Sequence, residues 1–195
     1  MKDLMPFDEM NTLEEYIRVL GKRQAENGTR PSAQDIEDEI EDLLITAYLM
    51  GYDQLEEDTG LKEDIDSSDM FGSVNREVAG KTWKERLSEY TQGEELQVGA
   101  IVRVIETETH RVFNESIMES ATKAAKNGAK LNKTWRTMQD DRVRDTHIDL
   151  ESVTIPLDER FNTVDGDSAL QPGGFSLPEN NANCRCRIAI TQVSG

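Results

Sequence analysis

The sequence has 195 residues, of which 36% are hydrophobic and 31% are charged, and its formal net charge at pH 7 is −17. This length suits one substantial domain, or a helical part joined to a small second module. No apolar stretch approaches the roughly 20 residues that span a bilayer, and the first residues lack the apolar core of a signal peptide, so we expect a protein kept in the cytoplasm without a membrane partner.

The negative charge is concentrated in the first 70 residues. They contain 20 Asp and Glu but only 6 Lys and Arg, a net charge of −14, whereas residues 71–195 have a net charge of −3. Binding to a phosphate backbone requires clustered basic side chains, so this acidic region is not expected to bind nucleic acid. Two interpretations stay open: a solvated helix surface, or a docking surface for a basic protein partner.

Two helices are predicted in the acidic region. Thr12 and Glu15 form a capping box at the start of the first helix, and Gly28 follows its end. Its apolar face contains Leu13, Tyr16, Ile17 and Leu20. Ser32 caps the second helix, whose apolar residues recur at helical spacing until Gly51.

A linker and two further helices are predicted next. Residues 53–73 are rich in Glu, Asp, Gly and Ser, and indicate a linker or irregular segment. Residues 75–92 then predict a third helix with Trp83 in the core, and residues 94–126 predict the longest helix. On that helix, Glu108 and Arg111 and the pair His110 and Asn114 are interpreted as ordinary helix-surface polarity.

The periodicity changes after Gly128. Residues 131–137 and 152–155 predict short strands, and residues 138–144 a turn or short helix. Residues 162–182 predict a long ordered loop, and residues 185–191 a closing strand.

The predicted fold class is therefore α+β, with an N-terminal region of long helices followed by a small, loop-rich module that contains β-structure. We assign residues 1–70 to an acidic helical region and residues 71–195 to a second domain. That domain contains long helices in residues 75–126 and a small α+β module in residues 129–191.

His147, Cys184 and Cys186 form the candidate chemical cluster. One residue separates the two cysteines, a spacing that seldom suits an unstrained disulfide. An imidazole and two thiolates can bind zinc, with His110 or Asp149 as a candidate fourth ligand. However, a Cys-x-Cys pair on a strand is expected to point to opposite faces, whereas common zinc modules use Cys-x-x-Cys.

Two other interpretations of this cluster are open. One cysteine can be a nucleophile with His147 as its base, in the positive field of the surrounding arginines, but no local signature of a cysteine enzyme is present. Alternatively, the cluster is structural: Arg144 and His147 bond carbonyls of the long loop, while Trp135, Phe161 and the cysteines form a small core beneath it.

Several motifs in order resemble the phage head-morphogenesis family typified by protein F of phage Mu. They are a helical Thr-Glu, a Trp before a turn, Asp-x-x-Arg-x-x-His, a Phe, a Pro-Gly and a closing Asn-Cys-Arg-Cys. The matching residues are Glu108, Trp135, Asp141, Arg144, His147, Phe161, Pro172, Gly173, Asn183, Cys184 and Cys186. The resemblance covers about residues 95–191. After His147 the family usually continues with an Asp-Gly or Asn-Gly turn, and here no glycine follows.

The resemblance implies a non-enzymatic minor capsid protein of a phage or prophage, present in the virion after assembly in the host cytoplasm. It implies a portal, capsid or scaffold protein as the partner during procapsid assembly, and a role in DNA packaging or ejection. We expect no cofactor, with zinc at His147, Cys184 and Cys186 as the alternative. The alternative function is a metal- or thiol-dependent hydrolase or transferase at these three residues. Oligomeric state stays open.

If DNA is contacted, the most basic stretch is expected to carry the contact, because phosphate binding needs clustered positive charge. The candidate DNA contacts are Lys123, Lys126, Lys130, Lys133 and Arg136.

Overall fold

A computed structural model describes residues 7–28 and 32–193 of the chain. Within these residues, the helices are α1 (Phe7–Asn27), α2 (Ala33–Thr59), α3 (Ser67–Val74), α4 (Trp83–Thr91), α5 (Val98–Lys126), α6 (Asp145–Ile148) and α7 (Pro178–Asn181). The strands are β1 (Leu131–Arg136), β2 (Thr154–Pro156), β3 (Phe161–Asn162), β4 (Ser168–Ala169) and β5 (Arg187–Gln192). Long helices thus precede a small module of short strands, which confirms the predicted α+β class.

The sheet of the C-terminal module has three antiparallel strands in the order β2-β1-β5. Lys133 on the central strand pairs with Ile155 of β2 and with Ile190 of β5. Strands β3 and β4 form a separate antiparallel pair. The strands predicted in residues 131–137, 152–155 and 185–191 are therefore present with slightly shifted bounds.

Helices α2 and α5 form the centre of the helical region. Gly51 does not end the second helix, as the sequence predicted, but lies buried in its interior. A Cβ atom at Gly51 would lie 1.7 Å from Ser116 Oγ and 2.7 Å from the carbonyl oxygen of Phe113. Gly51 therefore permits a close approach of two helix backbones, and the predicted helix end was wrong for that reason.

Other predicted helix bounds also change. Thr12 lies inside α1, which already includes Phe7, so the predicted capping box does not start this helix. The predicted irregular segment at residues 53–73 contains the last turns of α2 and most of α3. In the predicted helix at residues 75–92, only the part from Trp83 is helical, because the Thr82 and Glu85 side chains form a capping box at that point.

The buried apolar side chains of the helices and the sheet belong to one continuous cluster. It joins Ile17 of α1, Leu44 of α2 and Ile101 of α5 to Trp135 and Ile188 of the sheet. None of the helices within the described residues is both long and apolar enough to cross a membrane.

Candidate functional site

His147, Cys184 and Cys186 converge on one point in the C-terminal module. Nδ1 of His147 lies 3.6 Å from Sγ of each cysteine, and these three atoms lie within 4.8 Å of one another. All three residues are buried, and both cysteines are free thiols. The site therefore presents one nitrogen and two sulfur atoms in an arrangement largely closed to solvent.

The backbone before β5 turns both thiols toward the same side. The cysteines precede the strand instead of lying within it, and Asn183 has a φ of 55°. The Cys184 N–H donates to the Asn181 carbonyl at 3.1 Å, which holds this turn. The expectation that a Cys-x-Cys pair points to opposite faces was therefore wrong, because it assumed a regular strand.

Aromatic rings enclose the imidazole of His147. Its ring centroid lies 5.3 Å from that of Trp135 and 5.2 Å from that of Phe175. Trp135 also contacts Phe161 edge-to-face at 5.0 Å between ring centroids. The rings beneath the long loop pack together, and this packing limits the rotation of the imidazole.

Arg144 and His147 behave differently toward the loop. The Arg144 guanidinium donates to the carbonyls of Glu179 and Ala182, as the sequence predicted. His147 does not bond to a loop carbonyl: Nδ1 faces the thiols, and Nε2 is buried without a hydrogen-bond partner among the described residues. The imidazole is thus directed at the sulfur atoms.

The two thiols influence each other's proton affinity. A hydrogen bond from Cys186 lowers the pKa of the Cys184 thiol well below its usual value, against the opposing effect of burial. The hydrogen bond to Cys184, together with burial, raises the pKa of Cys186. One negative charge is therefore easily shared by the pair, whereas a second requires a compensating positive charge.

A cavity of about 10 Å³ adjoins the thiols, enough for one water-sized ligand. Its walls include Met138, Arg142, Arg144 and Asn183, and none of its described lining residues carries a carboxylate. A hydrolase centred here would need room for a substrate beside the metal or thiol. The cavity does not provide that room.

The candidate fourth zinc ligands lie elsewhere. Asp149 is exposed and His110 is buried in α5, and neither belongs to the cluster around His147. Burial lowers the pKa of His110 to about 3, so this imidazole is neutral at pH 7. The Asp141 side chain of the family motif is also exposed, and its neighbour Asp140 makes the bidentate ion pair with Arg185 at 2.7 and 2.8 Å.

The turn after His147 forms without a glycine. Ser152 adopts a φ of 61°, and its N–H donates to the Trp135 carbonyl at 2.9 Å. A positive φ costs a non-glycine residue about 1–2 kcal/mol. The chain therefore keeps a left-handed backbone conformation at this turn in spite of the local departure from the family motif.

Glu108 and Arg111 are buried, so their interpretation as helix-surface polarity was wrong. Arg111 Nε donates to Glu108 at 2.8 Å, and its Nη2 donates to the carbonyl of Ser73 at 3.0 Å. Arg86 pairs with the other oxygen of the Glu108 carboxylate. Gly173, with a φ of 82°, lies against Arg111, where a Cβ atom would be 3.1 Å from the Arg111 Cα. These contacts join α3, α4 and the long loop to α5.

Asn114 is the main site residue whose role the sequence did not reveal. Its side-chain amide donates to the Cys186 carbonyl at 3.1 Å and accepts from the Ile188 N–H at 3.0 Å. It therefore supplies the two hydrogen bonds that a neighbouring strand would make with the start of β5. Asn114 also lies four residues from His110, which is the spacing of an ordinary pair on a helix surface. The sequence therefore carried no signal that distinguished a buried Asn114 from an exposed one.

Two further side chains, those of Asp167 and Asn181, organise the long loop, and no sequence motif marked them. The Asp167 carboxylate accepts hydrogen bonds from the backbone N–H groups of Ser168, Ser176 and Leu177. The Asn181 amide accepts from the Phe175 N–H and donates to the Phe175 carbonyl. Only the density of Asp and Asn in residues 162–182 hinted at such side-chain support.

The five candidate DNA contacts do not form one exposed surface. Lys133 is fully buried 5.5 Å from the Phe161 ring centroid, and burial lowers its pKa to about 8. Lys123 bonds to Tyr52 and pairs with Glu119 and Asp69. Arg136 lies within 3.7 Å of a Glu151 oxygen. Strand pairing thus buries Lys133 at the centre of the basic stretch, whereas Lys126, Lys130 and Arg136 are exposed, and DNA contact by this stretch stays a prediction.

Comparisons with known proteins place this site in a family. The family profile described as "Phage Mu protein F like protein" matches residues 69–189. The chain is 35% identical over 82 residues to "Minor head protein GP7" of Bacillus phage SPP1, an alignment that covers 42% of this chain and 26% of that protein.

It is also 28% identical over 116 residues to "NAD(+)--arginine ADP-ribosyltransferase EFV" of Enterococcus faecalis (strain ATCC 700802 / V583), which covers 60% of this chain and 23% of that protein. The chain thus spans about a quarter of the length of these relatives. No solved structure matches it significantly.

Proposed function

The chain belongs to the Phage Mu protein F like family, and from this premise we propose that it is a minor head protein of a phage or prophage that acts in head morphogenesis. The observation that carries the proposal is the family match across residues 69–189, which includes the cluster at His147 and its supporting residues. The similarity to a relative named as a minor head protein agrees with it. The protein then resides in the virion after assembly in the host cytoplasm.

We further propose that the acidic helices dock on a portal or procapsid protein. The net charge of residues 1–70 is −14, and this charge favours a basic protein surface over DNA. The proposal does not include a DNA contact, because Lys133 is buried and Lys123 is paired with carboxylates.

A groove between α1 and α2 is the proposed contact. Tyr16 was predicted on the buried face of the first helix, but 43% of its surface is exposed and it lines this groove. Glu39 and Asp42 of α2 line the same groove and are exposed. An aromatic side chain beside carboxylates suits an interface with an apolar centre and a charged rim.

Co-purification with the portal protein of the same phage tests this proposal. The double variant Glu39→Lys/Asp42→Lys is expected to weaken the association by roughly tenfold, because it places two positive charges against a basic partner. The matched control is Asp158→Lys/Glu159→Lys, which makes the same charge change at exposed positions of the C-terminal module. Removal of residues 1–70 is a poorer test, because it would expose the face of α5 that packs on α2.

Three results would contradict the docking proposal. The wild-type chain fails to co-elute with the portal protein, the groove variant co-elutes as the wild type does, or the control variant loses as much binding. Circular dichroism of each variant checks that the fold is intact. Stronger binding at low ionic strength than at high ionic strength is expected, since the interaction is between exposed charges.

A further inference from the structure

The side chains of His147, Cys184 and Cys186 direct one nitrogen and two sulfur atoms at a common point, where all three atoms lie within 4.8 Å of one another. Both Sγ atoms lie 3.6 Å from the same Nδ1. One imidazole nitrogen and two sulfur atoms thus face one another in a buried site, and atoms of these types are ligands that transition metals prefer.

The distances match the spacing of ligands around a tetrahedral metal ion. With a Zn–S distance of about 2.3 Å and a Zn–N distance of about 2.0–2.1 Å, tetrahedral geometry separates the nitrogen and sulfur ligands by about 3.5–3.6 Å. The nitrogen and each sulfur of this cluster are 3.6 Å apart. Nitrogen and sulfur ligands without oxygen favour zinc over magnesium or calcium.

The elements around the cluster hold each ligand in place. The Cys186 carbonyl accepts from the buried Asn114 side chain, and the Cys184 N–H donates to Asn181. The backbone N–H of His147 donates to the Arg144 carbonyl at 2.9 Å, and the rings of Trp135 and Phe175 flank its imidazole. These backbone and ring contacts hold the three ligand atoms on one side of the site, so they need little rearrangement to bind a cation.

We propose that His147, Cys184 and Cys186 hold a structural zinc ion that ties α6 to the chain segment before β5. The small cavity beside the thiols supplies the fourth position, with room for one water molecule. Because that cavity has no space for a substrate, the ion acts as a crosslink between two segments 37 and 39 residues apart in the chain. This inference is independent of the proposed docking function.

Metal analysis of the whole chain, purified under reducing conditions, tests the proposal. We expect about one equivalent of zinc per chain. Each of the single variants Cys184→Ser, Cys186→Ser and His147→Asn is expected to lose most of this zinc. The matched control is His110→Asn: it changes the other of the two histidines, also buried, and is expected to retain the metal.

Cobalt titration of the wild-type chain provides a readout that does not depend on the folding of a variant. After zinc is removed, cobalt(II) bound by thiolates gives a sulfur-to-cobalt charge-transfer absorption. The chain has only two cysteines, so any such band arises from Cys184 and Cys186. Zinc removal should also lower the thermal unfolding midpoint by about 5–10 °C, the shift expected for a ligand present at about a hundred times its Kd.

The proposal is overturned if the folded wild-type chain contains no zinc and shows no charge-transfer band with added cobalt. Zinc that persists in both cysteine variants would place the ion elsewhere and would also overturn it. An unfolding midpoint that does not change on zinc removal would refute the structural role. A loss of zinc in His110→Asn equal to that in His147→Asn, with both variants folded, would contradict the assigned ligand set.

Discussion

The two tryptophans of the chain are both fully buried, but they lie in regions that are stabilised in different ways. Trp83 begins α4 in the helical region, where apolar faces of long helices pack together. Trp135 lies on β1 in the C-terminal module, where it contacts the rings of His147, Phe161 and Phe175. Both tryptophans belong to one apolar cluster, but Trp135 also makes specific ring contacts, including one with His147 of the candidate site.

This comparison explains where the recognisable motifs lie. An apolar helix face tolerates exchange among side chains of similar volume. The module has short strands and a long loop, so side chains such as Asn114, Asp167 and Asn181 pair with backbone groups that have no ladder partner. Such positions depend on the identity of the side chain, because a change leaves a buried polar group unsatisfied. The residues that resemble the family accordingly concentrate in the region with the least regular structure.

The largest effect is expected for Asn114→Ala. The substitution leaves the Ile188 N–H and the Cys186 carbonyl without their hydrogen-bond partner on α5. A loss of about 2–4 kcal/mol in the free energy of unfolding is expected, since each unsatisfied buried group costs about 1–3 kcal/mol. Urea denaturation measures it. Asn11→Ala, at an exposed position of α1, should change the free energy by no more than about 0.5 kcal/mol. Equal losses in both variants would remove the special role of Asn114.

A smaller effect is expected for Gly51→Ala in the helical region. The new methyl group would overlap Ser116 Oγ and the Phe113 carbonyl, so α2 and α5 must move apart. Overpacking of this kind costs about 1–3 kcal/mol. Thermal unfolding of Gly99→Ala is the matched comparison, because a Cβ atom there contacts nothing within 4 Å. Gly99→Ala should raise the free energy of unfolding by up to about 1 kcal/mol, because alanine has a better helix propensity than glycine. A Gly51→Ala variant as stable as the wild type would show that these helices do not pack so closely.

The smallest effect, and one that depends on pH, is expected for Glu151→Gln in the module. Burial raises the pKa of Glu151, but hydrogen bonds from the Thr137 hydroxyl and N–H, and from Ser152 and Gln139, outweigh it and lower the pKa to about 2. The Thr137 N–H lies 2.6 Å from the carboxylate and the Thr137 hydroxyl 2.7 Å from it. The substitution should cost about 1 kcal/mol at pH 7.

The sign of the pH dependence follows from the lowered pKa of Glu151. Its stabilising contribution is complete above the ordinary value of 4.5 and is lost as the pH falls toward about 2. The difference in unfolding free energy between wild type and Glu151→Gln should therefore shrink across this interval. Glu159→Gln, at an exposed position, is the control for the loss of one carboxylate charge. A free-energy difference that stays constant from pH 6 to pH 3 would contradict the assigned hydrogen bonds. A hydrogen-bonded carboxylate with a lowered pKa must change this difference as the pH falls.

The sequence by itself determined the fold class, the existence of the long helices, the three strands of the main sheet and the family. Helical spacing of apolar residues in α2 and α5 and alternation in β5 are local signals, so they can be read without knowing what each element packs against. The motif at His147, Cys184 and Cys186 was also visible, because its residue types and order are unusual.

Only the tertiary structure decided which polar residues are buried and which glycines are internal. Gly51 resembled a helix end until the contact with Ser116 and Phe113 gave it a packing role. Glu108, Arg111 and Asn114 resembled a helix surface, but α4, the long loop and β5 cover that side of α5. Likewise, the one-sided approach of Cys184 and Cys186 to His147 depends on a positive φ at Asn183. Burial and thiol direction are set by contacts between residues distant in the chain, and local periodicity carries no information about those contacts.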